Sequence, residues 1–398
     1  MFQFPCLNIA LIPQFIKAHF SATSATIIRI LLYLCTPFAD SGGGRRLKDM
    51  ETMIRTNNAS IDKMAVHMVG NKSADDVLGL SRNLLVAEDG IRELLSNYFC
   101  SSFKLEEYFS LYHESDLRYN EVYGFVSDIF EDDGRLMEES ANLARHLYEK
   151  SCHPNIKAGE FYVVLFRGFA YGEEEINAVG LFKSENKDTF LKVYPKNEGD
   201  FNIESEKGIN INKLDKGCLI FNIDKSNGYV VAVVDNTNKG DDAKYWIEDF
   251  LHVRPRKDEY YNTHNVLALC KNFVTKELPQ QFEVQKADQA DLLNRSVQFF
   301  KEKDSFDMEE FANEVFAQPE VIDSFNRYKQ DYEQDRNLEI ADSFTISESA
   351  VKKQARAFKS VIKLDRNFHI YVHGNRELIE QGEDEKGKFY KVYYQEEN

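Results

Sequence analysis

The stretch KGCLIFNIDKSNGYVVAVVDN, residues 216–236, decides the reading of the fold. Two apolar, β-branched runs flank Asn227-Gly228, the dipeptide favoured where a hairpin turn needs positive φ at two successive positions. The pattern predicts an antiparallel pair closed by a two-residue turn. Upstream, EFYVVLFRGFAY (160–171), INAVGLFKSE (176–185) and DTFLKVYPK (188–196) follow one another at hairpin distances and extend the sheet. SIDKMAVHMVGN (60–71) alternates apolar and polar residues before Gly-Asn and adds a strand and turn, and LGLSRNLLVAED (78–89) adds a short extended piece. Helical spacing enters in EDGIRELLSNYFCSSF (88–103), through Ile91, Leu94, Leu95, Tyr98 and Phe99, and in RLMEESANLARHLYEKSC (135–152), which Pro154 closes.

From residue 241 the period changes to helical. DDAKYWIEDFLHV (241–253) opens with capping aspartates and puts Tyr245, Trp246, Phe250 and Leu251 on one side. EYYNTHNVLALCKNFVTKEL (259–278) runs to Pro279, and QADLLNRSVQFFKEK, DMEEFANEVF and PEVIDSFNRYKQDYEQD are three further amphipathic helices. Pro319 suits the first turn of the last of these. SESAVKKQARAFK (347–359) is a final helix with Ser347 as its N-cap, followed by strand, turn and strand in SVIKLDRNFHIYV and a closing strand in KFYKVYYQ. The expected fold class is α+β. An N-terminal antiparallel sheet with packed helices spans 56–240, and a mainly helical region ending in a small C-terminal hairpin or sheet spans 241–398.

Residues 1–55 differ in character. Arg29 interrupts the apolar run IIRILLYLC, which is about half the length a membrane-spanning helix needs, and the first basic residue is Lys17. The expectation is a poorly structured extension upstream of the folded protein, with Met50, Met53 and Met64 as alternative starts and SGGGRRLKD as a flexible joint.

The 398 residues carry a formal net charge of -17, with 43% hydrophobic and 13% aromatic residues. Such a chain buries a substantial core and is not disordered over most of its length. Its acidity opposes bulk coating of DNA, but salt screens that repulsion beyond roughly 8 Å, so a local basic patch still suffices for phosphate contact. Six scattered cysteines without a CxxC pair indicate neither a metal knuckle nor a disulfide framework, and fit reduced thiols in the cytoplasm.

Catalytic signatures are missing. There is no phosphate loop, GxGxxG, HExxH, GxSxG or zinc-deaminase pattern. His146 and His153 beside Cys152, and His369 with His373, offer two ligands each where zinc takes three or four. The acidic runs at 131–133, 172–175 and 240–242 sit at turns and read as solvated loops; a metal-dependent nuclease or hydrolase is the least favoured alternative. Two basic groupings stand out. HVRPRK (252–257) sets Arg254, Arg256 and Lys257 in a loop between helices. Lys352, Arg356 and Lys359 recur at i, i+4 and i+7 on the final helix, with Lys353 and Lys363 beside them. Such stripes follow a phosphate backbone or face solvent.

The sheet segments MAVHMVGN, FYVVLFRG, KGCLIFNI and YVVAVVDN resemble the 37-kDa nucleoid-associated protein family of bacteria, in a Bacteroidetes-like version. YWIEDFLHVRPRKDEYYNTHNVL and FKSVIKLDRNFHIYVHGNRELIEQG carry the same resemblance. It spans roughly 60–398 and rests on packing patterns rather than on chemistry. It implies a cytoplasmic protein of the nucleoid, without enzyme activity or cofactor, that binds DNA directly or through partners. Together with the two basic groupings it leads to the expectation of salt-sensitive contact with DNA, or RNA, without strong sequence readout. The net charge of -17 motivates the alternative, an acidic interaction module recruited there by a protein partner. Homo-oligomerisation is left open. The eight cations Arg254, Arg256, Lys257, Lys352, Lys353, Arg356, Lys359 and Lys363 are the candidate nucleic-acid contacts, by the charge argument alone.

Overall fold

The computed structural model describes residues 54–56, 59–197, 199–237, 245–355, 358, 361–364, 368–372 and 376–394. All fall within one unit, Glu51–Asn398. The expected extension, with Met50 and Met53, lies outside the described residues except at its end, where Ile54–Arg55 already pairs with the sheet. In chain order the strands are β1 (Ile54–Arg55), β2 (Ser60–Val69), β3 (Leu78–Gly79), β4 (Phe109–Leu111), β5 (Gly159–Tyr171), β6 (Glu174–Ser184), β7 (Asp188–Asn197), β8 (Asp200–Gly208), β9 (Lys216–Phe221), β10 (Val230–Asp235) and β11 (Val253–Pro255). Nine of them form one antiparallel sheet in the order β11-β4-β10-β9-β6-β5-β2-β3, with β1 also pairing on β5.

The apolar strand runs are continuous because both sheet faces are covered. Along β5, Phe161, Val163 and Leu165 join one core, and Tyr162, Val164 and Phe166 join the other. The first core is capped by α2 (Glu121–Glu131) and α3 (Leu136–Lys150), which supply Val122, Val126, Ile129, Leu143 and Leu147. The second receives Tyr98 and Phe99 from α1 (Asp89–Cys100), with the Phe99 ring stacked on Phe182 at 4.1 Å. Helix α2 is not among the helices expected from the sequence, although Val122, Val126 and Ile129 lie on one buried face. Its Asn120 cap, accepting from the Tyr123 amide at 2.9 Å, marks its start. Helix α3 ends at Lys150, before Pro154 is reached.

Two sheet expectations need correction. β9 and β10 pair as expected, from Val230 opposite Phe221 to Asp235 opposite Lys216, but residues 222–229 make an eight-residue connection rather than a two-residue turn. Asp224, Gly228 and Tyr229 take positive φ and Asn227 does not; its amide nitrogen donates to Asp224 Oδ1 at 2.7 Å. The loop is long because β4 docks there. The Leu111 amide donates to the Gly228 carbonyl at 2.9 Å, and a Cβ on Gly228 would lie 1.9 Å from the Leu111 carbonyl oxygen. β7 is a strand as expected, yet it leaves the main sheet and pairs with β8 alone.

Beyond β11 the chain is mostly helical: α4 (Glu259–Asn272), α5 (Leu278–Gln281), α6 (Lys286–Glu302), α7 (Met308–Val315), α8 (Pro319–Arg336) and α9 (Glu348–Ala355). Pro319 opens α8 as expected, whereas Pro279 does not stop its helix. A wide turn over Phe273–Glu277 carries α4 into α5, where proline is tolerated in the first turn. Cys270, Phe273, Phe299, Phe311 and Phe325 build a third core. Short pairs close the chain: β12 (Ser305–Asp307) with β13 (Ser343–Thr345), β14 (Val361–Lys363) with β15 (His369–Tyr371), and β16 (Ile379–Asp384) with β17 (Gly387–Val392). The architecture is α+β. No described helix is long and apolar enough to cross a membrane.

Candidate nucleic-acid interface

Residues 253–255, expected in a loop between helices, form the edge strand of the main sheet. The reason is register: Val253 opposes Leu111 and buries its side chain, which leaves Arg254 opposite Ser110 and pointing away from the core. His252, at φ +51, makes the sharp entry, and the Asn120 amide nitrogen holds it by donating to the carbonyls of Tyr112, Leu251 and His252.

The candidate cations around this edge are largely neutralised. Arg256 donates to Asp224 Oδ2 at 2.5 Å, to Ser110 Oγ at 2.9 Å and to the Tyr229 carbonyl at 3.3 Å. Burial pushes the Asp224 carboxyl up, but the guanidinium and Asn227 outweigh it and hold its pKa below the ordinary value. Lys257 pairs with Glu339 at 2.5 Å, and Lys352 with Glu348 at 3.2 Å one helical turn back. Lys353, expected to flank the stripe, donates from its ammonium to the Tyr260 hydroxyl at 2.7 Å and pairs with Glu107 at 3.1 Å. Arg254 and Lys363 are exposed and carry no ion pair among the described residues. Arg356 and Lys359 lie outside the described residues, and Lys352 is the one member of the i, i+4, i+7 grouping that is described.

The structure brings Arg256, Lys257 and Lys353 to one region, since the Arg256 amide donates to the Tyr108 carbonyl beside Glu107. Lys352 precedes Lys353 on α9 but pairs with Glu348 instead, and Lys363 has no ion pair among the described residues. A feature that sequence reasoning missed lies along the same edge. The rings of Tyr119, His113, His252 and Tyr112 follow one another at centroid separations of 5.5, 5.9 and 4.6 Å. The Arg254 guanidinium then sits 5.3 Å from the Tyr112 ring. Tyr119 is 66% exposed. The strip joins residues 112–119 to 252–254, and only the pairing of β4 with β11 makes them neighbours.

The other candidate groups are structural joints. Asp133 pairs with Lys63 and Arg167, and Glu131 with Lys225. His146 is half-buried, bonded to the Phe250 carbonyl at 3.1 Å, and burial lowers its pKa despite Glu121. His153 is exposed, 240–242 and His373 lie outside the described residues, and no group of three or more His, Cys, Asp or Glu among the described residues could hold a metal. A second missed feature is buried beneath the sheet. Lys183 reaches Glu185 at 3.1 Å and the Tyr245 hydroxyl at 3.2 Å, while Lys216 pairs with Asp235 at 2.8 Å and Thr237 at 2.6 Å. Burial lowers the Lys183 pKa against the pull of Glu185. A lone lysine inside each apolar strand run was its sequence signal. Every named member of this network has a hydrogen-bond or ion-pair partner.

Comparison with known proteins adds one finding. Residues 65–393 match the family model described as nucleoid-associated protein YejK. No curated protein matches the chain.

Proposed function

The chain belongs to the nucleoid-associated protein YejK family, and from that membership we propose that it acts at the bacterial nucleoid, in the cytoplasm, as a non-enzymatic interaction protein held there chiefly by a protein partner. One observation carries this reading over direct charge-driven binding. Arg256, Lys257, Lys352 and Lys353 each already hold a carboxylate, in a chain of net charge -17. A phosphate would have to compete with Glu339, Glu348 and Glu107 at exposed pairs and with the partly buried Asp224 at Arg256, which subtracts from the gain of counterion release. The test is co-purification from nuclease-treated nucleoids. A stoichiometric protein partner that persists after complete digestion supports the reading. Loss of all association on digestion overturns it.

Direct contact with DNA or RNA is the second reading, favoured by the ring strip that ends on the unpaired Arg254. Aromatic faces and arginine together stack on bases and meet phosphate without sequence readout. In a gel-shift titration at two salt concentrations, Arg254→Glu should weaken binding equally across sequences and reduce the salt slope by about 1 or more. Lys352→Glu should change it little. Equal effects of the two variants would count against the strip.

A further inference from the structure

The β7–β8 ribbon is the most anomalous surface of the described residues. It pairs with nothing but itself, and an isolated two-stranded hairpin is marginal in water. Its register separates two faces. One is mainly polar, with Lys192 against Glu206 and Tyr194 against Glu204, and carries a single exposed apolar side chain, Phe190, near its base. The other carries, from base to tip, Thr189 opposite Lys207, Leu191 opposite Ser205, Val193 opposite Ile203 and Pro195 opposite Phe201. On this face Leu191 is 73% exposed, Val193 60%, Phe201 69% and Ile203 69%. Four large apolar side chains in strict alternation on a bare ribbon mark a contact face rather than a solvated one.

We infer that this face docks on the same face of a second copy of the chain. Three properties select that occupant. First, the ribbon is acidic: residues 188–208 hold three lysines (192, 196, 207) against five carboxylates (188, 198, 200, 204, 206), a net of -2. A ribbon of that charge is repelled by a nucleic-acid groove, and its apolar face lacks the donors a groove reader needs. Second, the face is complementary to itself. Let a two-fold axis run across the strands at the Val193–Ile203 row, with β8 lying over β8 of the other copy. Ile203 then meets Ile203, the bulky Phe201 meets the small Ser205, and Leu191 meets Pro195. Lys207 at the base comes to the tip that holds Asp200. Third, the four side chains offer roughly 500 Å² per copy, so the pair buries about 1,000 Å², the lower bound for a specific interface. The dimer is therefore concentration-dependent.

Sedimentation of the full chain over about 1–100 µM tests the inference, that span bracketing the affinity such an area supports. The wild type should pass from monomer to dimer, and Ile203→Lys should stay monomeric with unchanged circular dichroism. Cysteine cross-linking reads the geometry independently. Ile203→Cys should give an intermolecular disulfide under mild oxidation, above the background set by the wild-type cysteines, while Lys192→Cys on the opposite face should not. A wild type that is monomeric throughout, a dimer that persists in Ile203→Lys, or equal cross-linking of both cysteine variants would overturn it.

Discussion

Acidification offers a direct reading of how His67 holds the sheet to α3. His67 is 2% exposed on β2. Its Nδ1 accepts the Ser81 amide at 3.2 Å, and its Nε2 lies 3.0 Å from Ser140 Oγ, whose hydroxyl is committed to the Met137 carbonyl at 2.8 Å. The ring is therefore neutral, with its proton on Nε2 and donated to Ser140. A second proton on Nδ1 would face an N–H donor. Burial, with Arg145 nearby, lowers the pKa from 6.5 to about 4. The unfolded chain thus takes up a proton that the folded chain refuses, so stability is full above about pH 6.5 and is lost as pH falls toward 4. A shift of that size corresponds to about 3 kcal/mol, of which about 2 kcal/mol is lost between roughly pH 7.5 and 5. Urea unfolding of wild type and His67→Gln across that range isolates the effect, because the burial-lowered His146 and His264 contribute equally to both. The variant should be less stable at neutral pH but should lose about 2 kcal/mol less on acidification. Parallel pH profiles for the two proteins would refute the assignment.

Other joints give further expectations. Gly228→Ala combines a left-handed backbone at φ +87 with a Cβ driven into the Leu111 carbonyl, and should cost at least about 2 kcal/mol in urea unfolding and deprotect the Leu111 amide to hydrogen exchange. Lys216→Met removes a fully buried ammonium that bonds Asp235 and Thr237 and should cost about 3 kcal/mol, partly recovered by adding Asp235→Asn in a double-mutant cycle on the thermal midpoint. Arg256→Ala should cost about 2–3 kcal/mol in the same measurement while leaving the salt slope of any nucleic-acid binding unchanged, since its charge is already bound to Asp224.

The sequence was legible where period and side-chain type agree. The β5, β6, β9 and β10 runs, the helices with clean amphipathic spacing and the proline opening α8 stand where pattern places them, because local propensity and global packing favour the same state there. It was illegible where distant segments decide the outcome. Asn227-Gly228 promised a tight turn, but β4 needs that glycine for close approach, so the loop lengthens around it. The β7 run reads as one more sheet strand, and nothing local tells that its partner is β8 alone. The ring strip requires β4 beside β11, a pairing across some 140 residues that no spacing rule reaches.

The basic grouping at 252–257 shows how position reverses the meaning of a charge. In sequence, three cations in six residues suggest a surface for phosphate. In the fold, Arg256 joins β11, β4 and the 222–229 loop by spanning Ser110, the Tyr229 carbonyl and Asp224, while Lys257 is tied to Glu339 just before β13. At Arg256 the charge is spent inward on this clamp, while Lys257 stays exposed in its pair with Glu339. Arg254, the neighbour whose register turns it away from the core, is the one cation of this grouping without an ion pair among the described residues, and it lies on an aromatic face. A protein partner docked there would be held by stacking more than by charge, so added salt should weaken it only slightly, whereas a nucleic acid stacked on the same strip should bind with strong salt dependence; loss of the Tyr119 ring should weaken either. That contrast separates a docking surface from a polyanion-binding one on a single variant, Tyr119→Ala, measured at two salt concentrations.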